Sequence, residues 1–300
     1  MTAGVVIEEL GSGRVSGCRG AGWQRVARLD PVHVVARLAE LTGTVLTVEG
    51  PCPGGQVGAA YVRWPDGRRS VLTLGTASVA PLVAIARAAG VPAPRYEVVA
   101  DVDGLTVVVQ ECLPGHPPAV VDHHLVDQMI DLNERLAGRL ASHPDVPVVD
   151  LHLLHSGPGY CLHEPLAGYD RRTARLLDWV REVGQDQLMP DDDDLVHVDY
   201  HPGNILTSGD RICGVVDWDG AGRGDRHLDL VTLRFDLSRR APHLTGRLDQ
   251  LLLAAVAPER LRAFWAHMSL RLVDWAIRHH TRAEVELWLD TATTGIKTLC

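Results

Sequence analysis

His197-Val-Asp-Tyr-His-Pro-Gly-Asn204, followed by Gly214-Val-Val-Asp-Trp-Asp219, is the stretch that decides how this chain is read. Asn204 lies five positions after Asp199, and Asp217 lies thirteen after Asn204. Together with His197 this meets the H-x-D-x-x-x-x-N pattern of a phosphoryl-transfer loop. The spacing has a chemical reason. A carboxylate at Asp199 can accept the proton of an attacking hydroxyl, and a short loop then returns the chain so that Asn204 offers an amide oxygen. Asp217, closing an apolar run, adds a charged oxygen of the kind Mg2+ prefers. The plainer alternative, a helix cap beside a solvated acidic turn, needs the spacing, the flanking apolar runs and the second carboxylate to coincide.

Composition narrows the class. Of 300 residues, 46% are apolar and 22% charged, the balance of an ordinary globular chain long enough for one large domain or two modest ones. A net charge of −9 argues against a general nucleic-acid binder and suits a cationic ligand. No apolar run reaches membrane-spanning length; the longest candidate, 79–94, is broken by Arg87 and prolines. Glu8 and Glu9 stand where a signal peptide would be apolar, so a cytoplasmic protein is expected. The cysteines Cys18, Cys52, Cys112, Cys161, Cys213 and Cys300 form no C-x-x-C pair, which fits reduced thiols. His123-His124 and His279-His280 are adjacent, so on a helix their side chains diverge and make no chelate. Arginine carries nearly all the positive charge, because Lys297 is the only lysine.

Working outward, residues 1–28 are Gly- and Arg-rich without a period, and a flexible extension is expected there. Asp30-Pro31 reads as the cap and first residue of a helix to Leu41. Strands are expected at 45–48, 59–64 and 70–74, with turns at Gly50-Pro-Cys-Pro-Gly-Gly55 and Pro65-Asp66-Gly67. A helix at 79–89 and strands at 96–100 and 105–110 follow. Beyond Pro114-Gly115 the apolar period turns helical at 125–140 and 173–183. Two short strands at 195–198 and 212–216 carry the active stretches, and helices are expected from 225 onward, including 257–280 and 283–294. Strands first and helices later predict an α+β chain of two lobes with a cleft between them. The expected divisions are the extension 1–28, a nucleotide-binding lobe 29–114, and a mainly helical lobe 115–300 with the catalytic and acceptor sites.

Gly54-Gly55-Gln56-Val57-Gly58, between two expected strands, fits a turn over nucleotide phosphates, where absent side chains let backbone N–H groups approach. It is not a Walker A loop, since no Gly-Lys-Ser/Thr occurs in the chain.

Leu195-Val-His-Val-Asp-Tyr-His-Pro-Gly-Asn-Ile-Leu206 and the segment from Gly214 through Asp217, Asp219, Asp225 and Asp229 resemble the aminoglycoside phosphotransferase and choline kinase superfamily. Gln110-Glu-Cys-Leu-Pro-Gly115 and Gly90-Val-Pro-Ala-Pro94 extend the resemblance over about 45–240. It implies a bilobal, protein-kinase-like fold and a kinase that moves a phosphoryl group from ATP or GTP, with Mg2+, to a hydroxyl of a small molecule. An aminoglycoside or other antibiotic is the implied acceptor, for resistance or self-protection, and a sugar or amino-alcohol metabolite is the other option. The implied partners are that acceptor and the nucleotide, with neither nucleic acid nor membrane.

Residue by residue, Asp199 is the catalytic base or orienting group, and Asn204 and Asp217 are the Mg2+ ligands. His197, His201, Asp219 and Asp229 support the loop, while Gln110, Glu111 and Cys112 form the hinge that clamps the nucleotide. Asp236, Asp274 and Glu284 are candidates for contacts with acceptor amines, whereas the run Asp191–Asp194 reads first as a solvated loop before a strand and only otherwise as a landing site for a polycationic acceptor. The chain departs from the family pattern at Val198, where Gly is usual. It departs again at Thr73, where a third-strand lysine is usual, and near Val79, where a helix glutamate would pair with that lysine. Either arginines of the first lobe (Arg63, Arg68, Arg69, Arg87) replace the charge, or the protein is a pseudokinase-like binder that does not turn its ligand over.

Overall fold

The computed structural model describes residues 28–53, 58–186 and 192–298. The expected extension up to 27, the glycine-turn residues Gly54, Gly55 and Gln56, and Asp191 of the acidic run lie outside the described residues. The chain divides into two compact units. One takes the chain up to Gly115 together with Cys213–Asp219; the other takes His116–Ile212 and Gly220–Cys300. Asp217 and Asp219, read from sequence as part of the helical lobe, thus group with the first unit.

The first unit is a twisted antiparallel sheet covered on one face by a helix. Its elements are α1 (Pro31–Thr42), β1 (Thr47–Pro51), β2 (Ala60–Arg63), β3 (Arg69–Leu74), α2 (Ala80–Ala88), β4 (Tyr96–Val102) and β5 (Leu105–Glu111), with strand order β1-β2-β3-β5-β4. Asp30 caps α1 by accepting from the N–H groups of Val32 and His33. Asp103-Gly104 joins β4 to β5 with φ of 55° and 81°, the two positive values that a tight two-residue hairpin requires. Leu29, Val34 and Leu38 pack on Val62, Leu72, Val107 and Val109, every second residue of the central strands. β1 starts and ends later than the sequence suggested, because Gly50 bulges and the ladder continues through the bond from Cys52 N to Ala59 O.

The second unit is mainly helical: α3 (His123–Glu134), α4 (His163–Tyr169), α5 (Arg171–Gly184), β6 (Asp194–Val196), β7 (Ile205–Ser208), β8 (Arg211–Val215), β9 (Gly222–Gly224), α6 (His227–Arg240), α7 (Thr245–Ala255), α8 (Pro258–His279) and α9 (Arg282–Thr298). From Cys213 on, β8 belongs to the first unit. β6 and β9 pair antiparallel. Trp265 of α8 stacks on Phe235 of α6 at a centroid distance of 4.0 Å and donates to the Ala292 carbonyl of α9. Gly295 makes room for this ring: a Cβ there would lie 1.8 Å from it.

One expectation fails, and one helix goes unpredicted, for tertiary reasons. The helix at 125–140 ends at Glu134, because the following turn is captured by the start of β6. Gly138 N donates to Asp194 Oδ1 at 2.6 Å, Leu140 N to Asp193 O at 2.7 Å, and Leu195 N to Leu136 O at 3.1 Å. The helix α4 is too short for a period, and bonds from outside it hold it: His163 N to Ser156 Oγ, His163 Nε2 with the His152 carbonyl, and Leu162 N to Asp274 Oδ2, 112 residues away.

His267 on α8 is enclosed, bonded through Nδ1 to the Leu151 carbonyl at 2.6 Å, while its Nε2 has no partner among the described residues. Burial pushes the ring down to about 4 from its ordinary 6.5. The unfolded chain therefore takes up this proton first as pH falls. Stability from His267 is full above the ordinary value and lost towards pH 4, about 3 kcal/mol in all. Urea unfolding across that range should show the slope and His267→Leu should flatten it; an equal slope in the variant would refute the assignment.

Candidate active site

The loop between β6 and β7 is built around buried backbone donors. His197 N and Val198 N both donate to the Asp229 carboxylate, at 2.9 and 2.7 Å, and Asp229 is fully buried in the first turn of α6. Burial pushes this carboxyl up to about 7, and the two N–H bonds pull against it. Tyr200 OH donates to Met129 O of α3 at 2.8 Å, a second anchor. Between these anchors Val198 is held at φ 73°. The left-handed region is rare for a β-branched side chain, which explains the glycine of the family pattern. Gly220 accommodates the valine, since a Cβ at that position would sit 3.3 Å from Val198 Cβ.

Asp199 follows, with its side chain 31% exposed. Asn204 Nδ2 donates to both Asp199 O at 2.9 Å and Asp199 Oδ2 at 3.0 Å. Two acceptors on one side dictate the amide orientation and leave Asn204 Oδ1 as the oxygen that could take a hard cation. His201 Nδ1 accepts from Gly203 N and its Nε2 lies 3.6 Å from Asp199 Oδ2, while His197 Nδ1 accepts from Asp199 N at 3.3 Å. Arg271 of α8 adds Nη2 to Asp199 Oδ1 at 3.1 Å. Burial would raise the Asp199 carboxyl, but Arg271 and then His201 outweigh it and hold it below the usual range. Burial would lower the His201 ring, and Asp199 raises it instead. Sequence reasoning missed Arg271, because an isolated arginine in an apolar helical period carries no signal.

In the first unit Asp217 also takes a left-handed φ, 65°, beside the buried Trp218, whose Nε1 donates to Val215 O at 2.9 Å. Asp219 accepts from Thr76 N–H, and burial pushes its carboxyl up. Its Oδ1 lies 3.2 Å from where a Gly75 Cβ would be, just past the end of β3. Thr73 pairs with Val108 on the sheet face opposite the α1 core. All four arginines proposed to replace the lysine are engaged. Arg63 and Arg69 bind Glu49, Arg68 binds Glu97, and Arg87 binds Glu111 and the Ala93 carbonyl. In the expected hinge Gln110 pairs with Val71 and Tyr96, Glu111 N donates to Arg95 O, and Cys112 is half-buried. Gly58 is described, at φ 79°.

The acceptor candidates are a correction. Asp274 is fully buried, ion-paired with Arg278 and accepting from Leu162 N, and Asp236 is buried against Arg240. Buried acids need such partners, and Asp274, with no surface exposed, is not available to a ligand amine. Glu284 and Thr281 cap the start of α9 reciprocally. Asp192, Asp193 and Asp194 pair with Arg260, Arg223 and Arg226, which makes the run structural. No helix among the described residues is long and apolar enough to cross a membrane, and none of their His, Cys, Asp and Glu side chains form a metal-binding group of three.

A model of the phosphotransferase enzyme family matches residues 52–264. No curated protein matches the chain. Among solved structures it is similar to aminoglycoside phosphotransferase APH(4)-Ia in ternary complex with ADP and hygromycin B, at 16% identity over 88% of this chain and 98% of that one, TM-score 0.61. An aminoglycoside phosphotransferase from Alicyclobacillus acidocaldarius aligns at 17% identity over 91% and 93%, TM-score 0.56. A putative fructosamine-3-kinase from Thermobifida fusca aligns at 17% over 88% and 98%, TM-score 0.53. These likenesses are of fold, and the fold is the protein-kinase-like α+β class.

Asp229→Ala leaves two buried N–H groups without partners, and should cost about 2–5 kcal/mol in urea unfolding. A loss under about 1 kcal/mol would mean the loop is held otherwise. Gly220→Ala should destabilise the wild type yet be tolerated in a Val198→Gly background, a coupling of about 1 kcal/mol. Additive effects would show that the two positions do not meet.

Proposed function

Because the chain belongs to the phosphotransferase enzyme family, we propose that it moves the γ-phosphoryl group of ATP to a hydroxyl of an amine-bearing sugar or a similar small polar molecule. The observation that carries this reading is the Asn204 amide bonded to both the carbonyl and the carboxylate of Asp199, which sets an acid and an amide oxygen in one turn. The acceptor oxygen forms the new bond to the γ-phosphorus, the bond to the ADP oxygen breaks, and the hydroxyl proton is released. Asp199 accepts the hydrogen bond of that hydroxyl and aims it, so its contribution is mainly orientation. Asn204 Oδ1 in one unit and the Asp217 carboxylate in the other are each oxygen donors of the type Mg2+ takes, and the ion would neutralise phosphate charge.

ATP is favoured as donor because the similar APH(4)-Ia structure holds ADP. The acceptor class is supported by the aminoglycoside and fructosamine in the names of similar proteins, and by the net charge of −9. Antibiotic resistance or self-protection would follow from an aminoglycoside acceptor. Thr73, with the engaged arginines around it, favours one second reading: a protein that binds nucleotide and ligand without turnover.

The test is MgATP with a panel of aminoglycosides, including hygromycin B, and fructosamines, read by product mass. One added phosphate is expected, and Asp199→Asn should lower kcat by about 10²–10⁴ with nucleotide affinity little changed. An undiminished rate in that variant would remove Asp199 from the reaction. Binding without product across the panel would establish the second reading.

A further inference from the structure

Asp199 meets a cation that no motif contains. Arg271, 72 residues further along the chain and in the middle of α8, directs Nη1 to the Val198 carbonyl at 3.0 Å and Nη2 to Asp199 Oδ1 at 3.1 Å. One planar fork thus serves two acceptors on consecutive residues, a task for which guanidinium geometry is suited and an ammonium is not. Oδ2, the other carboxylate oxygen, faces Asn204 and His201. The carboxylate is therefore held at both ends, by different elements, while the side chain keeps a path to solvent.

A second pair on the same helix shows what a purely structural arrangement looks like. Arg278 and Asp274 are four residues apart and 6% and 0% exposed, and Asp274 also accepts from Leu162 N. Nothing from solution can reach that carboxylate. The Arg271 pair differs at each point: its acid is on another element, is 31% exposed, and ends the strained turn at Val198.

We infer that Arg271 is a positioning residue for phosphoryl transfer. It clamps Oδ1 of Asp199 and the Val198 carbonyl, so that Oδ2 is presented to the acceptor hydroxyl in a fixed direction. The inference rests on the phosphotransferase reading above. Without the guanidinium the carboxylate can rotate about its last bond, and the Val198 peptide loses the bond that helps hold its left-handed turn. A misplaced orienting group slows the chemical step and leaves nucleotide binding alone, because Arg271 acts only through Asp199 and the Val198 turn that carries it.

The experiment uses the full chain with MgATP and water as the acceptor, so that no identified substrate is needed. Arg271→Ala should lower kcat for ATP hydrolysis about 10²-fold with KM for ATP changed less than about threefold. Millimolar guanidinium chloride should restore part of that rate and leave the wild type unaffected. Arg271→Lys, which serves if the alanine variant does not fold, should lose about tenfold in kcat, since one ammonium cannot span both acceptors. A kcat near wild type in these variants, a change confined to KM, or no response to guanidinium would overturn the inference. If the wild type hydrolyses no ATP and phosphorylates nothing, the phosphotransferase reading fails by itself. The clamp is then decided by thermal midpoints of Arg271→Ala, Asp199→Ala and the double variant. Shifts that fail to add by about 2–4 °C sustain it, and additive shifts reject it.

Discussion

The carboxylate of Asp229 takes the N–H groups of His197 and Val198, and the shape of the active loop follows from those two bonds. Both donors leave the end of β6 in a region closed to water, where an unmade bond would cost more than a made one returns. An aspartate in the first turn of α6 supplies the acceptor and places negative charge at the positive end of that helix. With the two peptides fixed, Val198 is forced into a conformation that its side chain resists. Asp199 then emerges with its carboxylate towards solvent, and Asn204 closes the turn onto it. Tyr200, bonded to α3, keeps the loop from relaxing the strain.

Positive charge in this protein is carried almost entirely by arginine, and that choice shapes the site. A guanidinium can hold two acceptors at once, and the described arginines are used that way: Arg260 joins Asp192 to Asp225, and Arg226 joins Glu134 to Asp194. Around β3 the arginines are engaged with glutamates, and Thr73 stands opposite Val108. Losing a lysine and its glutamate partner together leaves no orphaned charge, so the fold need not suffer from the departure. On the other unit Arg271 puts a cation directly on the Asp199 carboxylate.

Much of the fold was legible because the cues were local. Asp30-Pro31 started α1, Asp103-Gly104 made a tight hairpin and Pro65-Asp66-Gly67 another, each through backbone demands that particular residues meet. The errors arose where distant backbone intervened. The apolar period from Leu125 to Leu140 is continuous, yet the helix stops at Glu134 because the residues beyond it bond to the chain entering β6. α4 is held from outside itself, its N-cap residue Leu162 donating to Asp274, 112 residues further along the chain.

The sequence by itself determined that Asp199 and Asn204 meet in one loop, because they and their neighbours are contiguous and their spacing is a property of the chain. Tertiary structure alone decided which other charges belong to it. Asp274 looked as available as any acid, and burial against Arg278 removed it, while Asp236 pairs with Arg240 and Glu284 bonds to Thr281 at a helix start. Arg271 looked like one more arginine in a helical period, and packing brought it to Asp199. An ion pair between residues far apart in the chain leaves no periodicity and no motif, and it becomes visible only when the helices that carry it are in place.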